Sequence, residues 1–448
     1  MAFDALPELI AAEHSAEGIR IPPDVTVPLT PRVRALVDTA EMRRLARISQ
    51  LGLVSLVYPG ATHSRFEHSL GVYRLALEFL GRLRRDPHFA ATVDEGDAAA
   101  FVVAALVHDI GHWAYCHPLE DMGLPELPRH ESLVGGILAT GEPAAILRAE
   151  WGLEPSRVAA LIDGTANDPA GILLHSLLSG PIDVDKMDYL ARDSLHAGVP
   201  YGRHFDQDRL LASLCIDAAG ETLAITDKGR TAAELMVFAR YVMFSEVYWH
   251  HAVRAATGML QRAVWLVRGA IDAPWLTRAD EQGFIGWLRG AAVGTGAAPL
   301  VEGLFGARRC LLKRVATYDA LHHPDIHRAL AGSPYDATTR VAARLAERLS
   351  RRLRIAVAPE TLLIDAPPAE REVEFALQVR QRPHDTGDRT DHWRSLAELS
   401  PVVRSLAHEQ FDDLVKRVRI FAPAETAAAV AQLPGGILPD LLEAIADD

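Results

Sequence analysis

Cysteine is scarce in this sequence: Cys116, Cys215 and Cys310 are the three in 448 residues, and no two form a CxxC pair. A disulfide framework or a zinc site built from thiolates is therefore not expected. Apolar runs long enough to span a membrane are also missing, because the best candidate, 98–114, is short and contains His and Asp. The amino terminus has acidic residues and no basic-then-apolar signal pattern. We expect a cytoplasmic protein with no membrane partner.

Positive charge is also in deficit, since 46 Lys and Arg face 59 Asp and Glu, for a net charge of -13. A general nucleic-acid binder usually has a basic surface, so nucleic acid is not expected as a partner. A phosphorylated substrate remains compatible, because a few local cations can reverse the potential inside a cleft. Nearly half of the residues are apolar, which is enough for a sizeable core in two or three packing units.

The amino-terminal residues 1–29 are expected to form an extended segment. Prolines interrupt an alternation of apolar and polar residues at 20–30, which predicts an extended segment before the first helix. From Thr30 the spacing becomes helical, with Thr30 as the expected N-cap and Pro31 in the first turn. This change predicts the start of a large helical domain at 30–260.

Helical spacing continues through most of the chain after Thr30. The helix predicted at 98–110 is apolar almost all round, so it is expected to be central and buried. The other predicted helices lie at about 40–51, from the loop at 57–65 to 84, and at 131–148, 156–163, 170–179, 184–195, 229–269 (one helix or two) and 276–350, with loops at 295–298 and 333–335.

The tail has a different pattern. Residues 353–364, 371–380 and 416–422 alternate like strands, whereas 380–393 is polar and predicts an exposed loop. The expected fold class is mainly α, with a helical and mixed α/β carboxy-terminal region at 261–448.

His108 and Asp109 directly follow the apolar run FVVAALV, so they lie at the end of a helix predicted to be buried. Ionisable residues are rarely buried unless they are paired or bind a metal. Neighbouring helical residues diverge by roughly 100°, yet an imidazole and a carboxylate can still converge on one ion. Mixed ligands of this kind suit Mn, Fe, Zn, Ni or Mg and do not fix which metal binds.

Two further segments, 63–68 and 183–193, are also rich in ionisable residues. His68 lies one helical turn after Arg65, so Arg65 can offer a fork of donors to phosphate oxygens beside a metal. In the second segment Asp185 shares one helix face with Tyr189. A carboxylate with such neighbours is a reasonable cradle for phosphate.

Simpler roles remain open for individual residues. A single histidine at a helix end more often caps the helix or bonds within the core. Asp183 is expected to be an N-cap rather than a ligand. His63 and His117 are expected to have supporting or structural roles, and Glu67 to be solvated or ion-paired. The joint occurrence of the three segments favours a metal site over separate accidents.

The three segments resemble the HD superfamily, whose ligand pattern is H…HD…D, and within it the branch of deoxynucleoside triphosphate triphosphohydrolases. The matching stretches are 43–72, 106–117 and 183–193, with weaker matches at 240–256, 308–318 and 362–380. The resemblance implies an HD-domain helical bundle, one divalent ion per site, a nucleotide substrate and a homo-oligomer. Whether a nucleotide effector also binds stays open.

Residue by residue, the resemblance implies metal ligation by His68, His108, Asp109 and Asp185. His130 matches the general acid for the leaving group, and Glu120 matches the carboxylate that orients it. The other implied contacts are His112, Arg65, Lys186, Tyr189 and Arg240 with phosphate, Asp193 with the sugar 3′-hydroxyl, Gln50 and Leu51 beside the 2′ position, and Tyr248 beside the sugar.

The chain departs from the family pattern in two places. The common run GHGPFSH is GHWAYCH here, so Trp113 and Ala114 replace Gly and Pro, and a bulky ring at 113 is expected to reshape the mouth of the site. Trp249, His250 and His251 replace the usual Lys or Gln neighbours, which leaves the base and phosphate contacts open.

The expected function is hydrolysis of a deoxynucleoside triphosphate to deoxynucleoside and tripolyphosphate. Two alternatives remain: an HD phosphohydrolase for another nucleotide phosphoester, and a nucleotide-binding regulator with little turnover.

Overall fold

The computed structural model describes residues 3–14, 17–368, 376–381, 392–406 and 414–447. Helices dominate these residues, in agreement with the helical spacing. The α-helices are α1 Pro7–His14, α2 Pro31–Val37, α3 Ala40–Leu45, α4 Arg65–Leu83, α5 Pro87–Thr92, α6 Glu95–Val107, α7 Cys116–Glu120, α8 Glu131–Leu138, α9 Gly141–Glu150, α10 Pro155–Asp163, α11 Pro169–Leu178, α12 Val184–Ala197, α13 Gln207–Ser213, α14 Arg230–Met243, α15 His251–Leu266, α16 Ala273–Leu276, α17 Glu281–Ala292, α18 Ala298–Phe305, α19 Pro324–Leu330, α20 Tyr335–Leu353, α21 Leu396–Leu399, α22 Pro401–Ser405, α23 Ala424–Val430 and α24 Leu438–Ala446.

Short strands form three small sheets in the described residues. The strands are β1 Gly18–Ile21, β2 Val25–Pro28, β3 Leu214–Ile216, β4 Leu223–Thr226, β5 Lys313–Tyr318, β6 Leu363–Asp365, β7 Gln378–Gln381, β8 His392–Ser395 and β9 Val418–Ala422. β1 and β2 form an antiparallel hairpin, and the order β3-β4-β7-β8 contains one parallel pair, β4 with β7. The third sheet, β5-β9-β6, is antiparallel and lies in the carboxy-terminal region.

The centre of the first hydrophobic core is α6, as predicted. Every residue from Ala98 to Val107 is buried, and α6 packs against α4 and α10. A capping box between Asp94 and Asp97 begins α6, and an N-cap of this kind stabilises a helix by about 1 kcal/mol. At its other end the buried helix stops at Val107, and His108 follows at the edge of the core.

Two further cores make up the carboxy-terminal half. One packs α15, α17 and α18 around Trp113, and the other packs α20 and α24 against β9. α15 contributes Val253 to the first core and Ala255 to the second. Residue 260, the predicted end of the helical domain, lies inside this continuous helix. The mainly α fold with a mixed α/β carboxy-terminal region is confirmed.

The sequence predicts a helix at 40–51, and its predicted end is wrong because α3 stops at Leu45. The next residues bond to the loop before α4: Gln50 N donates to His63 O at 2.9 Å, and Arg65 N donates to Ile48 O at 2.9 Å. These tertiary bonds replace helical ones. They bring Gln50 beside the start of the helix that carries His68.

Other boundaries also differ from the sequence predictions. The amino-terminal segment is not wholly extended, since α1 precedes the hairpin, and the span 131–148 forms α8 and α9 instead of one helix. β5 lies inside a span predicted to be helical, because it pairs with β9, which is distant in sequence. The strand predicted at 353–364 is reduced to β6.

Parts of two predictions lie outside the described residues, namely 371–375 of a predicted strand and 382–391 of a predicted loop. β9 confirms the strand predicted at 416–422. Thr30 caps α2 through its side chain, as predicted. None of the helices in the described residues combines the length and the apolar character needed to span a bilayer.

Candidate metal centre

His68 and His108 come from different helices and meet edge to face. His68 lies in the first turns of α4, which Ser64 caps, and His108 begins the 3₁₀ turn after α6. Their Nε2 atoms are 3.2 Å apart, and the ring planes cross at 78°. His68 is almost fully buried, whereas the His108 side chain is slightly exposed.

The other nitrogen of each ring has an acceptor as its partner. Nδ1 of His68 donates to Asp188 Oδ2 at 2.8 Å, and Nδ1 of His108 donates to the Ala105 carbonyl at 3.0 Å. These bonds select the tautomer in which Nε2 carries a lone pair, which is the usual arrangement behind metal-binding histidines. The donor set therefore fits a divalent ion.

Asp185 completes a group of three side chains around this point. Its Oδ1 lies 3.0 Å from His68 Nε2 and 3.8 Å from His108 Nε2. One ligand atom from each of the three lies within 4.8 Å of the others. Asp183 caps α12 by accepting from Lys186 N, as predicted, which places Asp185 in the first turn facing His68.

The carboxylates also determine the charge of His68 in the absence of an ion. Burial by itself would lower the pKa of His68, but Asp185 and Asp188 outweigh it and raise the pKa to about 10. His68 is accordingly protonated at neutral pH unless another cation takes that place. A proton and a metal thus compete for Nε2.

Asp109 lies at the side of this group. Its Oδ1 is 3.4 Å from His108 Nε2 and 3.1 Å from His112 Nδ1, and its Oδ2 accepts from Arg65 Nη1 at 2.9 Å. Burial opposes ionisation of Asp109, but the positive charges of Arg65 and of protonated His68 hold its pKa well below the ordinary value. The expected phosphate-binding Arg65 thus already pairs with a predicted ligand.

A second ring of charges supports His68, and the sequence reasoning missed it. Asp188 accepts from His68 and from both Nε and Nη2 of Arg192, each at 2.7 Å, and Arg192 Nη1 donates to Glu67 at 2.7 Å. Glu67 is therefore ion-paired, one of the two roles predicted for it. A Cβ on Gly71 would overlap the Asp188 carboxylate and the Arg192 guanidinium, so any larger residue there would displace these two side chains.

Glu120 and His130 form a hydrogen-bonded pair next to the predicted metal ligands. Nδ1 of His130 lies 3.0 Å from each Glu120 carboxylate oxygen, and His130 N donates to Oε1 at 2.7 Å. The His130 ring stacks at a tilt on His112, with centroids 3.8 Å apart. The bond to Glu120 uses Nδ1, so Nε2 is the nitrogen of His130 that can bond to a ligand.

His112 and His117 lie beside His130 in one imidazole cluster. Their Nε2 atoms are 3.2 Å apart. Burial and the nearby Arg65 lower the pKa of His112 well below its ordinary value and that of His117 to about 4. Both rings are therefore neutral at physiological pH.

The predicted sugar contacts also meet in space. Asp193 accepts from Tyr248 Oη at 2.6 Å through Oδ2 and lies 2.9 Å from His63 Nε2 through Oδ1. His63 thus supports a predicted binding residue, as expected for a structural histidine. Gln50 Oε1 is buried and has no protein partner within the described chain.

Lys186 and Tyr189 are near one another on α12, as the predicted phosphate cradle requires. Lys186 Nζ donates to Asp183 Oδ2 at 2.6 Å, so the carboxylate partly neutralises the positive charge of Lys186. Burial raises the pKa of Tyr189 to about 12, while the positive charge of Arg240 opposes this shift. Tyr189 is therefore a neutral donor near cationic side chains.

The residues that depart from the family pattern lie in different surroundings. Trp113 is fully buried in the second core, so its ring is not exposed at the mouth of the site, and its effect on the shape of the site stays a prediction. Trp249 is buried against Arg254, and His250 caps α15. His251 is exposed and lines a cavity with Arg308 and other basic residues.

Comparison with known proteins identifies two family regions in this chain. Residues 65–193 match the HD domain, and 205–438 match the HD associated region. An uncharacterised Bacillus subtilis protein is 35% identical over 228 residues, which is 51% of this chain and 50% of that protein. The deoxynucleoside triphosphate triphosphohydrolase SAMHD1 of Gallus gallus is 29% identical over 257 residues, 50% of this chain and 41% of that protein.

Two solved structures share the fold. A hypothetical protein from Aquifex aeolicus has a TM-score of 0.67 and 23% identity, covering 92% of this chain and 99% of that one. A phosphohydrolase from Bacteroides thetaiotaomicron has a TM-score of 0.64 and 22% identity, covering 91% and 100%. The chain spans about half the length of the curated relatives it matches. It belongs to the HD-domain family, with an HD domain followed by an HD-associated region.

Proposed function

We propose that the protein is a metal-dependent phosphohydrolase that converts deoxynucleoside triphosphates to deoxynucleosides and tripolyphosphate. The observation that carries this proposal is the convergence of His68, His108 and Asp185, with both imidazoles oriented by acceptors on their outer nitrogens. A merely structural cluster has no need for two lone pairs at one point.

The donor set fits Mn, Fe, Ni, Zn or Mg, with Asp109 as the fourth ligand. Two nitrogens of one ion, each bonded at about 2.1 Å, are separated by roughly 3.2 Å when the angle between the bonds is near 100°, and this matches the observed spacing. When bound, a divalent ion supplies Lewis-acid chemistry: it lowers the pKa of water and draws charge from a phosphate oxygen.

The chain's own residues provide the remaining chemistry. Water attacks the α-phosphorus, and the bond from that phosphorus to the sugar 5′ oxygen breaks. His130, oriented by Glu120, donates a proton from Nε2 to the departing sugar oxygen. The cations Arg65, Lys186 and Arg240, together with neutral His112, stabilise the charge that develops on the phosphate oxygens.

The preference for a deoxynucleotide depends on the sugar pocket. The unpartnered oxygen of Gln50 accepts a donor from the ligand, and Leu51 beside it restricts space at the 2′ position. Asp193, fixed by His63 and Tyr248, faces the 3′-hydroxyl. The similarity to the deoxynucleoside triphosphate triphosphohydrolase of Gallus gallus supports this choice of substrate. Assembly as a homo-oligomer is part of the same proposal, and binding of a nucleotide effector stays an open question.

The test is incubation of the purified protein with deoxynucleoside and ribonucleoside triphosphates, nucleoside monophosphates and cyclic nucleotides, each with Mn, Mg, Fe, Ni or Zn. We expect deoxynucleoside and tripolyphosphate in equal amounts. Release of pyrophosphate or monophosphate would retain the phosphohydrolase and reject this substrate. Absence of turnover with every phosphoester would favour a nucleotide-binding regulator and overturn the proposal.

A further inference from the structure

A second set of potential metal ligands lies beside the first. His112, Cys116, His117 and His130 each offer one ligand atom, and these four atoms all lie within 4.8 Å of one another. The closest pair, Nε2 of His112 and Nε2 of His117, is 3.2 Å apart. This spacing is close to that of two nitrogens on one tetrahedral ion, roughly 3.3 Å.

Two of these imidazoles have carboxylates behind them. Nδ1 of His130 lies 3.0 Å from Glu120, and Nδ1 of His112 lies 3.1 Å from Asp109. A carboxylate on the outer nitrogen orients a ligating histidine and makes it more basic. The His130 ring therefore has the support that metal-binding histidines typically have, whereas the carboxylate near His112 belongs to the first site.

Cys116 is the residue that decides which cation the cluster suits. Its side chain is 1% exposed and lies among the three imidazoles. Arg65 pairs with Asp109 beside the cluster and repels a second cation, so three imidazoles alone would bind weakly. A thiolate adds the negative charge that offsets this repulsion, and a set of three nitrogens and one sulfur favours Zn²⁺ over Mg²⁺.

An ion can reach the cluster from solvent. A cavity of about 540 Å³ opens beside it and is lined by His117, Glu120 and His130, and the His117 side is exposed. The cluster is thus buried on one side and open on the other. This is the arrangement expected of an exchangeable site.

We propose that His112, Cys116, His117 and His130 form a second metal site that takes a thiophilic divalent ion such as Zn²⁺. Cys116 binds as the thiolate and releases its proton to solvent. If the proposed hydrolysis is correct, the ion also inhibits it, because Nε2 of His130 is then bonded to metal and has no proton to donate.

The binding test uses Co²⁺ as a spectroscopic probe for both sites. We expect two ions per wild-type chain, together with a thiolate-to-cobalt charge-transfer band. The double variant His68→Ala with Asp185→Ala should retain one ion and the band. Cys116→Ser should lose the band, whereas the matched variant Cys215→Ser, which alters another buried cysteine, should keep it. Thermal unfolding verifies that each variant is folded.

A second variant keeps the binding test valid if Cys116→Ser fails to fold. His117→Gln keeps the thiol and should weaken Co²⁺ binding at this site at least tenfold. One ion per wild-type chain and no charge-transfer band would overturn the second site and leave the first untouched.

The inhibition test compares each protein with its own zinc-free rate. The Zn²⁺ concentration for half-inhibition should rise at least tenfold in Cys116→Ser and stay unchanged in Cys215→Ser. Equal sensitivity of the two variants would overturn inhibition through this site. A thiolate band in a protein that hydrolyses nothing would instead refute the proposed function and support the second site.

Discussion

His68 and His108 face each other through Nε2 atoms 3.2 Å apart, although Nδ1 of each already donates to an acceptor. Two lone pairs at that distance repel unless a proton or a cation lies between them. Asp185 and Asp188 supply the negative charge that favours such a cation. The fold therefore holds a position for one positive charge.

Replacing Asp188 should weaken metal binding without removing a ligand. Asp188→Asn can turn its amide toward His68, which would select the wrong tautomer. We expect a 10- to 100-fold loss of metal affinity, the usual effect of changing such a supporting group. Metal titration measures it. Asp24→Asn, on an exposed turn, is the control, and equal affinities in the two variants would contradict the role of Asp188.

Two glycines on α4 provide a matched pair for stability. In Gly71→Ala the new methyl group meets Asp188 and Arg192, whereas in Gly81→Ala it meets nothing within 4 Å. We expect Gly71→Ala to lower the free energy of unfolding by about 1–3 kcal/mol. Gly81→Ala should raise it by about 0.5–1 kcal/mol through helix propensity. Urea unfolding distinguishes them, and equal effects would refute the close packing.

The pair of His130 and Glu120 predicts a loss of rate without a loss of metal. His130→Ala should reduce kcat roughly 10²- to 10⁴-fold, the usual contribution of a general acid. Glu120→Gln should reduce it less, and the double variant should resemble His130→Ala because both act through one proton. Steady-state kinetics and metal analysis are the measurements. Additive effects, or loss of the metal ion from the HD site in His130→Ala, would mean that the role is misassigned.

Glu281 predicts a dependence of stability on pH. It accepts from Ser49 N at 3.1 Å, and burial raises its pKa despite this bond. The unfolded chain ionises this group at lower pH than the folded protein does, so stability falls as pH rises from the unfolded pKa to the raised folded pKa. Glu281→Gln should lack this decrease. Urea unfolding of both proteins between about pH 4 and pH 7 tests it, and parallel curves would contradict it.

The sequence predicts the centre of the molecule better than its edges. The apolar run from Ala98 to Val107 predicts a buried helix and nothing else. The end of that helix places His108 at the edge of the core. The cap by Asp183 likewise follows from local chemistry. These features depend on neighbours in sequence, and the HD family follows from the same segments.

Features set by distant residues could not be predicted in this way. α3 stops at Leu45 because its continuation bonds to the loop at 63–65, and β5 forms because β9 lies beside it. Asp188 is one of three aspartates within six residues, and spacing alone does not tell which supports His68. The family pattern also omits Cys116, whose neighbours become visible only in three dimensions.

The most direct measurement is metal content and product release on the same samples of wild type, Asp185→Asn and His108→Ala. The wild type should bind metal at the HD site and release one tripolyphosphate per deoxynucleoside. Each variant should lose that ion and at least 10³-fold of the rate, since the ion supplies the Lewis acid. Full turnover in either variant, or in protein stripped of metal, would contradict the proposed role of His108 and Asp185.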